Sequence, residues 1–202
     1  MYFPLCSAAL CVLCGLMLFR CQVNDKEGQF MKIAQVGEEI LRTPARQVER
    51  AEFGQGSLTL FIDELLGTML EENGIGIAAP QVFDPRAIMI IASRPNPRYP
   101  DAPDMSPLAM VNPVIKHSGD NKVWEWEGSL SVPGLRGRIE RPDSVDVVYL
   151  DIEGKTQNIK LEGFVARIFL HEFDHLIGKT WLDHIADTEN IMANDVWVAK
   201  FT

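Results

Sequence analysis

The run His171-Glu172-Phe173-Asp174-His175 constrains this chain more than any other segment. Histidines four residues apart on a helix stand one turn above each other, so both imidazoles reach a single cation while the intervening Glu172 is angled toward the position left open. Phe164, Val165, Ile168, Phe169, Leu170 and Leu176 surround the motif, so the helix expected over 164–177, with Gly178 just past its end, is a buried one. The fold must then wrap other elements around a central helix. His171 and His175 are candidate metal ligands, and Glu172 is placed to take a proton from an ion-activated water and pass it to a leaving amine. Asp174 either orients an imidazole or is a solvated helix acid.

The rest of the chain reads as short, irregularly alternating elements. Ser57 is the expected N-cap of a first helix, whose Leu58, Phe61, Ile62, Leu65, Leu66, Met69 and Leu70 recur at helical spacing until Asn73 and Gly74 end it. Strands are expected over 87–92, 108–115 and 122–127, and over 144–151 and 157–161 as a hairpin around Glu153-Gly154. The segment carrying Pro95, Pro97, Pro100, Pro103 and Pro107 is expected to be loop. Thr188 or its neighbour opens a last amphipathic helix toward Lys200. This pattern specifies an α+β class, with short mixed or antiparallel strands packed around the metal-binding helix, and excludes a regular βαβ series. Trp124 and Trp126 alternate onto one strand face and are expected in the core or under a covered sheet surface. His117 is expected to be solvated in a polar turn, and His184 to pair with Asp183.

A chain of 202 residues can bury enough apolar surface as one domain to need no disulfide or structural metal, so a bound metal would serve chemistry. Nineteen Lys and Arg against 28 Asp and Glu give a net charge of -9, which repels phosphate backbones and argues against nucleic acid as a direct ligand. Cys6, Cys11, Cys14 and Cys21 are the only cysteines, so nothing after residue 21 offers a thiolate. Residues 1–30 form an apolar N-terminal extension, uncharged from Tyr2 to Phe19, ahead of a domain over 31–202. Three readings stay open for it: an export signal, a retained anchor, or a misassigned start upstream of Met31. The last is preferred and makes the domain cytoplasmic; a membrane partner is expected only if residues 1–20 are retained.

Two further segments sharpen the chemistry. Gly74-Ile75-Gly76-Ile77-Ala78-Ala79-Pro80-Gln81 follows the first helix, and Glu127-Gly128-Ser129-Leu130-Ser131-Val132-Pro133-Gly134-Leu135-Arg136-Gly137 follows a strand. Their small residues let backbone approach a ligand closely, and Gln81 brings an amide donor that can face a developing oxyanion. The Gly-x-Gly follows a helix, so a dinucleotide fingerprint fails its context test. With the His-Glu-Phe-Asp-His helix, in this order and spacing, the segments resemble the peptide deformylases over 31–187.

The resemblance implies a hydrolase that removes the formyl group from formyl-methionyl peptides, with His171 and His175 binding a divalent ion, iron first and zinc or nickel as alternatives. It implies that Glu172 is the acid/base, that Gln81 and the backbone N–H of Leu130 hold the oxyanion, and that Ile75, Gly76, Gly128 and Arg136 lie near the peptide. An apolar pocket would take the methionine side chain, and the ribosome is a partner by family analogy alone. One departure falls on the metal: the family's second motif has a cysteine ligand where this chain has Ser129, and a hydroxyl is a much weaker donor than a thiolate. Ser129 can coordinate weakly or through water, Glu127 can swing in to complete the set, or the site is silent. The chain is accordingly either an amidohydrolase of altered metal preference or a catalytically weakened form that binds formyl peptides or inhibitors. A zinc endopeptidase would leave the two glycine-containing segments unexplained.

Overall fold

The computed structural model describes residues 31–95 and 99–201, so every reading of residues 1–30 lies outside it. Among the described residues, one antiparallel sheet has the order β1-β2-β3-β6-β7, built from β1 (Gly76–Ala78), β2 (Ile88–Ser93), β3 (Met105–Ser118), β6 (Ser144–Leu150) and β7 (Thr156–Glu162). A second antiparallel sheet has the order β4-β5-β8, from β4 (Lys122–Ser129), β5 (Val132–Pro142) and β8 (Ile191–Ala193). The helices are α1 (Gly56–Glu71), α2 (Gly163–Leu176) and α3 (Asn194–Phe201). The α+β class stands, and none of these helices is long and apolar enough to cross a membrane.

Alternation along β2 explains the layering. Met89 and Ile91 face α2 and its Phe169, while Ile88 and Ile90 face Leu58, Ile62, Leu65 and Met69 of α1. Both faces of the sheet are covered, which is why this strand reads as an unbroken apolar run. Chain entry into α2 uses Gly163 at φ 55, and the exit uses Gly178 at φ 73, where a Cβ would come within 2.7 Å of the Arg42 carbonyl oxygen. The metal motif is thereby set in the middle of the molecule.

Several local expectations are corrected. The N-cap of α1 is Gln55, which leaves Ser57 inside the first turn; Gln55 Nε2 donates instead to the Ala51 carbonyl at 2.6 Å. Pro107 belongs to β3, at a register shift opposite Ile91 and Ser93 where the ladder tolerates a missing N–H. His117 also lies in β3, exposed and opposite Asp146 rather than in a turn. The last helix is split: a short turn over Thr188–Asn190 gives way to β8, because Ile191 and Met192 pair with Gly137 and Arg136 of β5 before α3 begins. Trp124 is 42% exposed and not core, whereas Trp126 is partly buried, its ring 6.2 Å from Phe201.

Candidate metal centre and peptide cleft

His171, Glu172 and His175 are all buried on α2, with the two imidazole centroids 5.4 Å apart. His171 is oriented through Nδ1, which lies 2.9 Å from Glu127 Oε2 and leaves Nε2 without a partner among the described residues. This arrangement is the usual one for a ligating imidazole, where a carboxylate fixes the tautomer and ring plane. Burial disfavours the charged ring, but the Glu127 hydrogen bond and the Glu172 charge outweigh it and raise the pKa of His171 above its ordinary value. Burial, with His171 alongside, pushes His175 well below its ordinary range and keeps it in the neutral, ligating form.

Glu127, on β4, also accepts from Arg141 (Nε at 2.6 Å, Nη2 at 2.9 Å) and from Arg167 Nη1 at 2.8 Å. Burial alone would raise its carboxyl, but Arg141 and His171 hold it well below the usual carboxylate range. A carboxylate committed to three partners has no lone pair to spare for a swing toward the ion, so the geometry speaks against Glu127 as a ligand. Asp174 is buried and neither solvated nor bonded to the paired imidazoles: it accepts from Arg141 Nη2 and lies 2.8 Å from His184 Nε2. His184 therefore pairs with Asp174, while Asp183 binds Arg42. The local sequence placed Asp183 next to His184, but the turn Trp181–His184 directs the two side chains apart.

Burial pushes the Glu172 carboxyl up to about 7, and its Oε2 is buried without a hydrogen-bond partner among the described residues. Gly76 explains the room it occupies, since a Cβ there would fall 2.8 Å from Glu172 Cγ. Ser129 Oγ lies 3.4 Å from His175 Nε2 and accepts from the Ser131 N–H at 3.2 Å. Ser131 Oγ in turn accepts from Gln81 Nε2 at 3.2 Å, while Gln81 Oε1 accepts the Ala78 N–H at 2.8 Å. Gln81 is thus fixed on the turn Ala79–Val82 with one amide hydrogen to spare.

One cavity of about 320 Å³ brings together Ile75, Gly76, Gln81, Gly128, Ser129, Leu130, Arg136, His171 and Glu172, with the fully buried His175 behind them. Phe164 and Ile168 add apolar wall beside Ile75. Two imidazoles and a hydroxyl, with the Glu172 carboxylate beside them placed to act on an ion-bound water, fit a divalent cation, although no group of three His, Cys, Asp or Glu side chains converges among the described residues. The reading of the sequence missed Arg141, Ser131 and the residues that hold Arg136. Arg167, the lone charge in the apolar part of α2, was a visible signal that went unused.

A family model described as polypeptide deformylase matches residues 30–190. The chain is 43% identical over 167 residues to "Peptide deformylase 2" of Nostoc sp., covering 83% of this chain and 92% of that protein. It is 45% identical over 166 residues to "Peptide deformylase 2" of Shewanella oneidensis, covering 82% and 90%. Among solved structures, the Met-Ala-Ser-bound class I type b peptide deformylase of Acinetobacter baumannii superposes with a TM-score of 0.76 at 44% identity, covering 77% of this chain and 98% of that one. The peptide deformylase of Thermotoga maritima gives 0.68 at 30% identity, covering 78% and 99%.

Proposed function

Because the chain belongs to the polypeptide deformylase family, a family of metal-dependent hydrolases, we propose that it removes the N-terminal formyl group from formyl-methionyl peptides and nascent chains. The observation that carries this reading is the buried Glu172, its Oε2 without a partner among the described residues, on the same helix as a neutral His175 and a His171 oriented by Glu127. His171, His175 and the Ser129 hydroxyl are the residues that hold the ion, proposed as ferrous iron with zinc or nickel as alternatives. A divalent cation supplies Lewis acidity, activating water near neutral pH and polarising the formyl carbonyl.

The remaining steps belong to the protein. Glu172, titrating near neutrality, takes a proton from the attacking water and returns it to the departing methionine amine. The spare amide hydrogen of Gln81 and the backbone N–H of Leu130 stabilise the oxyanion as charge develops, and Gln81, held by Ala78 and Ser131, needs no reorganisation at that moment. Ile75, Phe164 and Ile168 receive the methionine side chain, with Gly76 and Gly128 letting the peptide backbone pass close. The Met-Ala-Ser tripeptide named with the Acinetobacter relative has the chemistry of a deformylated product. The proposed place of action is the cytoplasm, with the ribosome a partner by family analogy.

Ser129 favours a second reading, a scaffold that binds formyl peptides without hydrolysing them, because its hydroxyl already accepts from Ser131. Residues 31–202, loaded anaerobically with ferrous iron and separately with zinc, are assayed for formate release from a formyl-methionyl peptide beside Ser129→Cys. Turnover by the natural protein comparable to that of the variant supports the enzyme. Formate from Ser129→Cys alone assigns the natural form to binding.

A further inference from the structure

Among the described residues three arginines are buried around the cleft, and one of them has no counter-ion there. Arg141 and Arg167 both bind Glu127, and Arg141 also binds Asp174. Arg136, only 2% exposed and lining the cavity, has no carboxylate partner among the described residues of a chain carrying a net charge of -9. Its partners are neutral: Nε donates to Asn194 Oδ1 at 3.0 Å, Nη1 donates to the Tyr99 hydroxyl at 2.9 Å, and the guanidinium carbon lies 3.9 Å from the centroid of the Trp197 ring. Nη2 donates to nothing among the described residues. A charge taken out of water in this way is costly unless an anion meets it, and a guanidinium fork matches a carboxylate.

Deepening the deformylase reading, on which it rests, we propose that Arg136 is the receptor for the free α-carboxylate of short formylated peptides, held ready by Asn194, Trp197 and Tyr99. Reach supports this. Gly128 faces the guanidinium, its Cβ position 3.5 Å from Arg136 Cζ, and is the neighbour of Ser129. One residue spans about 3.8 Å between Cα atoms, so the terminus of a di- or tripeptide whose formyl group sits by Ser129 falls in range. Two members of the clamp, Asn194 and Trp197, belong to α3, past residue 190 where the family match ends. Asn194 and Trp197 are positioning residues, acting through Arg136.

The test compares formyl-Met-Ala-Ser as free acid and as C-terminal amide on the iron-loaded protein. The free acid is expected to have a KM about tenfold lower at equal kcat, the size of one charge-assisted hydrogen bond. The gap should disappear in Arg136→Gln and narrow in Asn194→Ala. Equal KM values for acid and amide on the natural protein overturn the proposal, and that comparison needs no variant to fold. Should neither peptide release formate, calorimetric titration with Met-Ala-Ser acid and amide separates the two claims. Tighter binding of the acid upholds the carboxylate subsite while the deformylase reading falls, and equal binding overturns the subsite.

Discussion

Replacing Glu127 with Gln keeps the side-chain shape and removes one buried charge. Oε1 would still accept from Arg141 Nε and Arg167 Nη1, but the amide nitrogen in place of Oε2 would confront two more donors, Arg141 Nη2 and His171 Nδ1, each now 2.9 Å from the carboxylate. Two charge-assisted bonds are lost and two guanidinium groups share one neutral acceptor, so the expected loss is that of a broken buried ion pair, about 3–5 kcal/mol. For a domain of this size that is roughly 6 to 20 °C in the thermal midpoint. Because Arg141 and His171 outweigh burial and hold the native carboxyl well below its ordinary range, its contribution is present above about pH 4.5 and is lost only below it. Because the same carboxylate raises the proton affinity of His171, urea denaturation of the metal-free proteins should give a larger difference at pH 5 than at pH 8. Equilibrium dialysis should show metal affinity about 10–100-fold weaker, since His171 loses its orienting acceptor. A loss under 1 kcal/mol at pH 7 would refute the claim that this network, rather than apolar packing alone, joins β4 to α2.

Glu172→Gln should reduce formate release by about 10²–10⁴-fold, the range of general acid–base catalysis, while metal content stays unchanged; loss of the metal would show that the residue ligates the ion. On the outer surface, the hydrogen bond from Arg46 lowers the Glu52 carboxyl to about 2, so it stabilises the fold above its unfolded value and ceases to as pH falls toward 2. With that side chain 27% exposed, Glu52→Gln should cost no more than about 1 kcal/mol at pH 7 and clearly less at pH 2, read by thermal melts.

The parts of the site that were legible in the sequence are those governed by short-range spacing. His171 and His175 share a face because a helix repeats every 3.6 residues, and Gly76 signalled a close approach that proves to be toward Glu172. The apolar run of β2 was equally direct. Strand β5 was obscured because residues 132–137 read as a ligand-facing loop, and β8 is too short to leave a pattern. Arg141 pairing with Glu127 and Asp174, and Arg136 held by Tyr99 and Asn194, depend on which distant segments meet, which no local period encodes.

The apolar core lies between α1, the five-stranded sheet and α2, whereas the second sheet contributes a small cluster of Val132, Ile139 and Trp181. That sheet nevertheless carries Ser129 and Arg136 and faces the histidines across the cleft. What joins it to α2 at the cleft is the set of forked bonds from Glu127 and Arg141 to Arg167, His171 and Asp174. Greasy surfaces can slide over one another at little cost, but guanidinium–carboxylate forks fix angle as well as distance. The two jaws of the cleft are therefore keyed rather than glued: thermal motion should leave them aligned, and a fault in one tooth of the key should misalign the peptide wall and the metal wall together.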